Sequence, residues 1–518
     1  MKIGAFTNCW HHFWRQQPAL FYGLCYLFGT YLGLVETWEP VVLPLAVLLF
    51  SELLGGCREA LHRSIYGVLI CFVAICYCHT QFHLPSLSIE GQPGKGELII
   101  HDVRMGNHRF GKCWILQGTL RRFTTDSPSA LVGKNVPVSV RIPVRGRQLP
   151  PVNKEYLVQG QLYRQDLGRY RWVPDKDTPW QPIGHRWSWA PVRWPIKLAV
   201  RNWILTRYHH SREGEFLAGL VTGDFSDVQS RTMLGRFGLQ HIMAISGFHF
   251  AIIASILSVA LNGLLPGRWG TLVLLTTLGF YCLFLGYSPS IFRAWIAATF
   301  ALCAHLLERP SSSLNRMGLA LWILVILDPV GILRFSFQMS FLATVGILLM
   351  FAQFDQCLQT LWKSRELKEL TKWTRLDQHG YLLLSLFRQG IALLMAVHVV
   401  TVPMTLYVFH KLPLLSLAYN LLFPFLVSIA ILLLIVGGIS SLLLPPLGKM
   451  IDGVNSIFVH RTLNLTFNAP VAWEWVWRPL PPSLWSVILY LTLVLCAAIY
   501  FRQASQNQNR YPQEFYFL

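Results

Sequence analysis

Charge is scarce in this sequence, and that scarcity excludes most soluble folds. Asp, Glu, Lys and Arg make up 13% of the 518 residues, hydrophobic residues make up 53%, and the mean hydropathy is +0.42. Soluble domains carry about 25% charged residues. The apolar runs are instead long enough for about eleven membrane crossings. The sequence therefore predicts a polytopic α-helical membrane protein.

The motifs of soluble catalysis are also missing. The chain has no Gly-(x)₄-Gly-Lys-Ser/Thr phosphate loop, no pair of catalytic carboxylates and no His-x-His-x-Asp-His metal motif. Ten of its 11 cysteines lie in or beside apolar runs, and only Cys113 falls in a polar block, so neither a disulfide framework nor a zinc site is indicated. We expect no cofactor, no metal and no enzymatic activity.

Positive charge is concentrated in one polar block. Residues 81–199 hold 18 Lys or Arg and 8 Asp or Glu, which is about half of the net charge of +19. A soluble-looking basic block suits a polyanion such as nucleic acid, and anionic lipid headgroups are the alternative. By the positive-inside rule, the turn with Arg58 and Arg63 is cytoplasmic, so three crossings place this block outside.

The same block has the pattern of a small β domain. Short β-branched and aromatic runs, separated by Gly- and Pro-containing turns, predict about five strands, the number in a small OB-type barrel. Such barrels bind single strands through basic residues and aromatic stacking platforms, although a barrel also needs aromatic residues in its core. The candidate DNA-binding residues are Arg121, Arg122, Arg164, Arg169, Arg171 and Trp172.

Polar residues interrupt an apolar run that begins at residue 238. The stretch Gly-Leu-Gln-His-Ile-Met-Ala-Ile-Ser-Gly-Phe-His-Phe (238–250) contains His241, Ser246, Gly247 and His249. Polar groups in hydrocarbon are costly unless they face a bundle interior or a water-filled path, and Gly247 allows a close approach. Ser246 and His249 lie one helical turn apart. Helix packing is the simpler alternative for such residues.

This stretch resembles the signature of the ComEC family of competence DNA-uptake channels. Further family-like elements lie in order around it, over residues 215–445. Gly-(x)₃-Gly-Asp-x-Ser at 219–226 comes just ahead of the signature, and three elements follow it: Pro-Ser-(x)₂-Arg-Ala at 289–294, Asp-Pro followed by Phe-Gln-Met-Ser-Phe-Leu-Ala at 328–343, and Asn-Leu-Leu-Phe-Pro at 420–424. We expect Asp224 either to cap the next helix or to belong to the channel mouth, and we favour the cap. We expect the last element to break its helix in the membrane, as helices lining a cavity do.

The resemblance implies a channel that moves one DNA strand across the bacterial cytoplasmic membrane. Its expected lining comprises His241, Ser246, Gly247, His249, Gln338, Ser340 and Asn420, with Arg293 attracting phosphates. Snorkelling to the membrane surface is the alternative for Arg293. The predicted order is N-terminal membrane helices (1–80), an OB-like extracytoplasmic domain (81–180), an interfacial segment (181–240), the channel domain (241–502) and a polar tail (503–518).

The implied partners are single-stranded DNA, membrane lipid, a separate DNA receptor outside and a cytoplasmic motor or helicase. Many family members also carry a metallo-β-lactamase-like domain, which has no counterpart in this sequence, so we expect a separate strand-degrading nuclease. Two other functions remain open. A small-solute transporter has no evident use for a basic β domain. An intramembrane hydrolase would need Ser246 and His249 within hydrogen-bond reach.

Overall fold

The computed structural model contains a β-barrel and a bundle of largely apolar helices. It describes residues 3–35, 37–53, 58–85, 91–108, 111–125, 131–143, 152–166, 168–175, 178–225, 228–243, 247–265, 267–309, 312–362, 373–470 and 473–508. One predicted site residue, Ser246, lies outside these ranges.

Four helices precede the barrel: α1 (Ile3–Gln16), α2 (Pro18–Leu34), α3 (Glu39–Leu53) and α4 (Arg58–Gln81). Small residues bring α2 and α4 close together, since a Cβ atom on Gly29 would overlap the backbone of Cys71. Lipid gives helices little hydrophobic reason to associate, so such close backbone packing is a main source of stability inside a bilayer.

Six strands form the β domain: β1 (Gln92–His108), β2 (Gly111–Thr124), β3 (Leu131–Pro143), β4 (Lys154–Asp166), β5 (Arg169–Pro174) and β6 (Gln181–His185). The strand order is β1-β2-β3-β5-β4, and β4 pairs back with β1, so these five strands close into a barrel. β3 and β5 run parallel, while the other neighbouring strands run antiparallel. The predicted small all-β domain is confirmed.

Large apolar side chains fill the barrel because alternate residues of each strand point inward. Leu98, Leu116, Leu120 and Leu162 are fully buried, and Trp172 packs edge-on against Phe123 with the ring centroids 5.9 Å apart. Closure also leaves no free edge among these five strands, which removes the usual site of edge-to-edge aggregation.

Four helices lead from the barrel to the signature stretch: α5 (Ala190–Arg207), α6 (Arg212–Thr222), α7 (Val228–Arg236) and α8 (Gln240–Met243). The boundaries of α6 follow from its capping residues. Its N-cap, Ser211, accepts a hydrogen bond from the Gly214 amide at 3.2 Å, and its C-cap, Gly223, has a φ of 79° that suits a residue without a side chain.

The central bundle comprises α9 (Gly247–Leu264), α10 (Gly267–Leu285), α11 (Pro289–Leu306), α12 (Ser313–Leu327) and α13 (Phe335–Gln359). A 3₁₀ helix, Pro329–Leu333, joins α12 to α13, and Asp328 accepts a hydrogen bond from the Gly331 amide at 3.0 Å at its start. α11 packs against α9, α12 and α13, so it lies at the centre of this group.

The remaining elements are α14 (Arg375–Phe409), β7 (Leu412–Pro413), α15 (Ser416–Leu443), α16 (Pro445–Phe467), β8 (Val476–Trp477) and α17 (Leu484–Gln508). The predicted helix break after Asn420 is wrong, because α15 continues through Pro424. Proline removes one backbone hydrogen bond, here the one to the Asn420 carbonyl, and packed neighbours make that loss tolerable. Phe423 and Val427 are fully buried beside it.

Seven helices of the described chain are long and apolar enough to cross a membrane: α4, α10, α11, α13, α14, α15 and α17. Four shorter helices, α2, α3, α9 and α12, are also apolar. Large apolar side chains such as Phe72 and Phe280 point outward, which suits contact with lipid. The predicted polytopic α-helical fold is confirmed, whereas the number of crossings stays a prediction.

Candidate functional site

Arg293 lies in the second turn of α11, a helix that Pro289 begins with its fixed backbone angle. Its Nε atom donates a hydrogen bond to the Ser340 Oγ atom of α13 at 3.0 Å, and its guanidinium lies 5.9 Å from the centroid of the Phe341 ring. Within the described chain, Arg293 has no carboxylate at ion-pair distance. The positive charge is therefore held by a hydroxyl and an aromatic ring and remains available to an anion.

Gly247 brings the signature helix up to this arginine. A Cβ atom at Gly247, the first residue of α9, would lie 3.0 Å from Arg293 Nη2 and 3.4 Å from the Ala294 Cβ atom. Glycine thus permits a contact that a larger residue would push apart. Three predicted site residues, Gly247, Arg293 and Ser340, come together from α9, α11 and α13.

Three histidines lie near one another, and one of them, His249, follows Gly247 by two residues in α9. The Nδ1–H of His241 is 3.2 Å from the Gly238 carbonyl oxygen, and the ring is accessible to solvent although protein surrounds it. His249 is buried. His241 is close enough to both His249 and His398 of α14 for their charges to interact. The sequence predicted the first two; His398 was missed because one histidine in an apolar helix carries no local motif.

Two predicted lining residues are placed differently. The Gln338 Nε2 atom donates to the Ile332 carbonyl at 3.0 Å and so helps to close the 3₁₀ turn before α13. The Asn420 Oδ1 atom is buried and accepts no hydrogen bond from any residue that the structure describes. No hydrogen bond joins either side chain to Arg293 within that part of the chain. Their part in the lining stays a prediction.

The barrel arginines are on its outside, but the predicted tryptophan is not. Arg121, Arg122, Arg164 and Arg169 are exposed, and Arg171 is half-buried. Trp172 has no exposed surface and belongs to the barrel core. A side chain in that position has no face on which a base can stack, so Trp172 is not part of a DNA-binding surface in this structure.

Asp224 does not cap the following helix, contrary to prediction. Phe225, the residue after it, is not helical, whereas an N-cap directly precedes the first helical residue. The Asp224 carboxylate instead lies 3.7 Å from the Lys197 Nζ atom, and its backbone carbonyl accepts a hydrogen bond from Arg201 at 3.0 Å. Asp224, Lys197 and Arg201 line a small cavity at the base of the barrel, together with Met105 and Trp194.

A second buried polar network was missed entirely. Arg207 at the end of α5 pairs with Asp452 of α16, with Nε 3.1 Å from Oδ2, and also donates to the Gly437 carbonyl at 2.9 Å. Asn455 donates to the Tyr208 hydroxyl at 3.0 Å. Charged residues among apolar helices are costly and call for partners, so Arg207 and Asp452 carried a usable signal. A charged residue in an apolar run does not reveal which residue it pairs with, however, and Arg207 and Asp452 are 245 positions apart.

No metal site is evident in the described chain, where no three His, Cys, Asp or Glu side chains are arranged to hold an ion. The polar groups brought together by α9, α11 and α13 are one cation, one hydroxyl and nearby imidazoles. Such groups offer hydrogen bonds and a positive charge to a ligand that passes or binds.

Comparison with known proteins is decisive for the family. A family model described as "Competence protein" matches residues 220–503, more than half of the chain. The chain belongs to the competence protein family. It is also 24% identical over 206 residues to "ComE operon protein 3" of Bacillus subtilis (strain 168), an alignment that covers 39% of this chain and 23% of the relative. No solved structure matches the chain.

Membership of the competence family agrees with the helical architecture. The matched residues 220–503 contain Gly247, Arg293 and Ser340, while the barrel lies ahead of them. Together with the seven membrane-length helices, the family makes this chain a multi-pass protein of the cytoplasmic membrane. The aligned segment spans about a quarter of the Bacillus relative.

Proposed function

We propose that this competence protein is a channel that conducts single-stranded DNA across the cytoplasmic membrane during natural transformation. The observation that carries the proposal is Arg293, a cation among apolar helices with a hydroxyl partner and no carboxylate partner in the described chain. Insertion into a membrane costs a charged side chain about 3 kcal/mol at the centre of a helix and less near its end, where Arg293 lies. A passing phosphodiester would offset that cost and would not be held by a competing ion pair.

The second support is the modest polarity of the site. A conducting path must attract its ligand enough to admit it and bind it weakly enough to release it. One arginine, the Ser340 hydroxyl and the imidazoles of His241 and His249 supply a weak, discontinuous set of contacts. We propose that Ser246, Gln338 and Asn420 complete the lining, that the strand passes Gly247, and that this chain itself performs no catalysis.

The third support is the basic barrel. We propose that it faces the outside and receives the strand through Arg121, Arg122, Arg164, Arg169 and Arg171. A separate receptor outside, a cytoplasmic motor or helicase and a strand-degrading nuclease would complete the pathway, because the sequence has no phosphate loop for nucleotide-driven pulling.

The test is DNA import in a strain that lacks this gene and is complemented with variants. With end-labelled DNA, bound and internalised label are scored separately. Arg293→Gln keeps the side chain polar and removes its charge, so binding outside should stay normal while import falls at least about tenfold, as for a lost charged hydrogen bond. Transformants should fall in parallel.

The matched control is Arg268→Gln. Arg268 begins α10 at the end farther from the barrel, is 74% exposed and pairs with Glu308 at 2.8 Å. Its loss should leave import within about twofold, because exposed ion pairs contribute little. Normal import in the deletion strain would reject the channel and favour a small-solute transporter; normal import with Arg293→Gln alone would reject the phosphate contact.

A further inference from the structure

Of the contacts that the described residues make between the barrel and the helices, three bear on the membrane helices, and the first is where the chain enters the barrel. Lys134 of β3 donates through Nζ to the Thr80 carbonyl at 2.8 Å, and Asn135 donates through Nδ2 to the Gln81 carbonyl at 2.9 Å. Both acceptors belong to the last turn of α4. This contact fixes the barrel to the helix that precedes it.

The second contact is a buried ion pair. Arg193 of α5 places Nη1 2.7 Å from Oδ1 of Asp102 on β1, and the two side chains are only 12% and 7% exposed. The same guanidinium fills the space beside Gly286, where an added Cβ would overlap it and where φ is +84°. Arg193 therefore joins the barrel to the turn between α10 and α11.

The third contact is made by the tight turn between β4 and β5. Gly168 has a φ of +70°, and a Cβ there would lie 2.9 Å from the Leu333 Cβ atom and 3.4 Å from Val330 Cγ1. Both partners belong to the 3₁₀ helix that leads directly into α13. The Gly168 backbone thus packs directly against the Leu333 and Val330 side chains, just before α13 begins.

The second and third contacts lie just before α11 and α13, the two helices that the Arg293–Ser340 hydrogen bond joins. Arg293 follows Gly286 by seven residues and Ser340 follows Leu333 by seven, a distance of roughly 10 Å along a helix. The two starts also approach each other at Asp328. Its carboxylate pairs with Arg334, the residue before α13, at 3.1 Å, and the Tyr287 side chain, two residues before α11, interacts with the same carboxylate. The barrel therefore contacts the chain just before both α11 and α13, and the Arg293–Ser340 hydrogen bond joins these two helices further along.

We propose that the barrel is coupled to the Arg293–Ser340 pair through these two helix starts, and that Arg193 is a positioning residue for DNA import. The proposal rests on the proposed channel function. Breaking a buried ion pair is costly, and the close packing of Gly168 on the Leu333 and Val330 side chains leaves little free space, so the docked barrel sets the relative position of α11 and α13. A DNA strand bound to the barrel would therefore influence the relative position of these two helices.

The test is a double-mutant cycle in the full-length protein in cells, with import of labelled single strands as the readout and binding outside measured separately. The variants are Arg193→Gln, Ser340→Ala and the two combined. Arg193→Gln should leave binding unchanged and lower import at least about fivefold, the low end of measured couplings between sites. Independent distant sites have additive effects, so coupling predicts that the double variant is markedly less impaired than the product of the single effects.

The matched control is Arg186→Gln. Arg186 belongs to the barrel region and pairs with Glu155 at 3.5 Å, but this pair does not include a membrane helix. Its effect should be small and strictly multiplicative with Ser340→Ala. If Arg193→Gln reduces the amount of protein in the membrane, Arg193→Lys, which keeps a donor for Asp102, replaces it in the cycle.

Two results separate this inference from the channel proposal. Multiplicative effects of Arg193→Gln and Ser340→Ala, with both singles defective, would overturn the coupling and leave the channel standing. Wild-type import in both Ser340→Ala and Arg293→Gln would contradict the proposed conduction path past these two residues. A non-multiplicative cycle with the Arg186 control multiplicative would establish the coupling.

Discussion

Gly247 is the residue at which the signature helix comes closest to Arg293, and a single methyl group tests that contact. In Gly247→Ala the new Cβ would stand 3.0 Å from Arg293 Nη2, so the guanidinium must shift and its hydrogen bond to Ser340 must lengthen. We expect import to fall a few-fold. Alanine is also a better helix former than glycine, so thermal stability in detergent should not fall.

The same helix offers the control. Gly263 has no atom within 4 Å of an added Cβ, so Gly263→Ala gains the same helical preference without the contact. Import should then stay at the wild-type level. Equal losses in both variants would mean that α9 requires flexibility, and the steric account of Gly247 would be wrong.

At the scale of single residues, a polar side chain in an apolar run was a usable signal, whereas the neighbours that contact it were not predictable. Arg293 and Ser340 were each predicted, but their hydrogen bond joins residues 47 positions apart and has no sequence signal. Trp172 was misplaced although the pattern was readable. In Arg169-Tyr-Arg-Trp172, alternate residues point to opposite faces, so the arginines and the aromatics cannot share a surface. The structure buries Tyr170 and Trp172 accordingly.

At the scale of elements, the Lys197–Asp224 pair ties α5 to the loop after α6. Burial lowers the pKa of the Lys197 amine and raises the pKa of the Asp224 carboxyl from their ordinary values, although each partner's charge opposes that shift. Asp224→Asn would leave a buried ammonium without a carboxylate, which costs about 3–5 kcal/mol when one partner of a buried pair is removed.

The double variant Asp224→Asn/Lys197→Met removes the stranded charge as well. It should therefore be more stable than Asp224→Asn alone, because a well-packed apolar side chain replaces a buried ion at little cost. Thermal unfolding of the detergent-purified protein measures both. A double variant less stable than the single would show that Lys197 makes a contribution independent of Asp224.

Element boundaries were predictable where local chemistry sets them. The strand pattern gave the barrel, and Pro289 marked the start of α11. The predicted break in α15 is wrong. Pro424 costs one backbone hydrogen bond, but the buried packing around Phe423 and Val427 allows the helix to continue through it. A proline signal is local; the packing that outweighs it is contributed by other helices.

At the scale of the whole molecule, composition predicted both parts but not how they meet. Low charge indicated the membrane helices and the basic block indicated the barrel. The contact between Gly168 and Leu333 depends on two positions 165 residues apart. Gly168 belongs to no motif, and Leu333 lies between the Asp-Pro and Phe-Gln parts of the element at 328–343, where nothing indicates a partner. The docking of barrel on bundle, which the proposed coupling requires, therefore emerged only from the three-dimensional structure.

The last prediction concerns the basic surface of the barrel. It tests whether DNA binding depends on where the positive charges lie or only on their total number. Arg121→Gln, Arg122→Gln and Arg164→Gln remove three exposed cations from the barrel. If each contacts one phosphate, the slope of log affinity for single-stranded DNA against log salt should become shallower by about 0.7 per contact. Purified full-length protein titrated with a labelled oligonucleotide at several salt concentrations measures this slope.

A triple variant elsewhere separates local contact from net charge. Arg58, Arg268 and Arg375 are exposed at the starts of α4, α10 and α14, helices that end on the barrel side. Changing these three to Gln removes the same total charge. The slope should then stay as in the wild type, since charges farther than about 10 Å from the strand are screened at moderate salt. Equal loss in both triples would mean that binding follows the net charge of +19 and that the barrel is not the receiving surface.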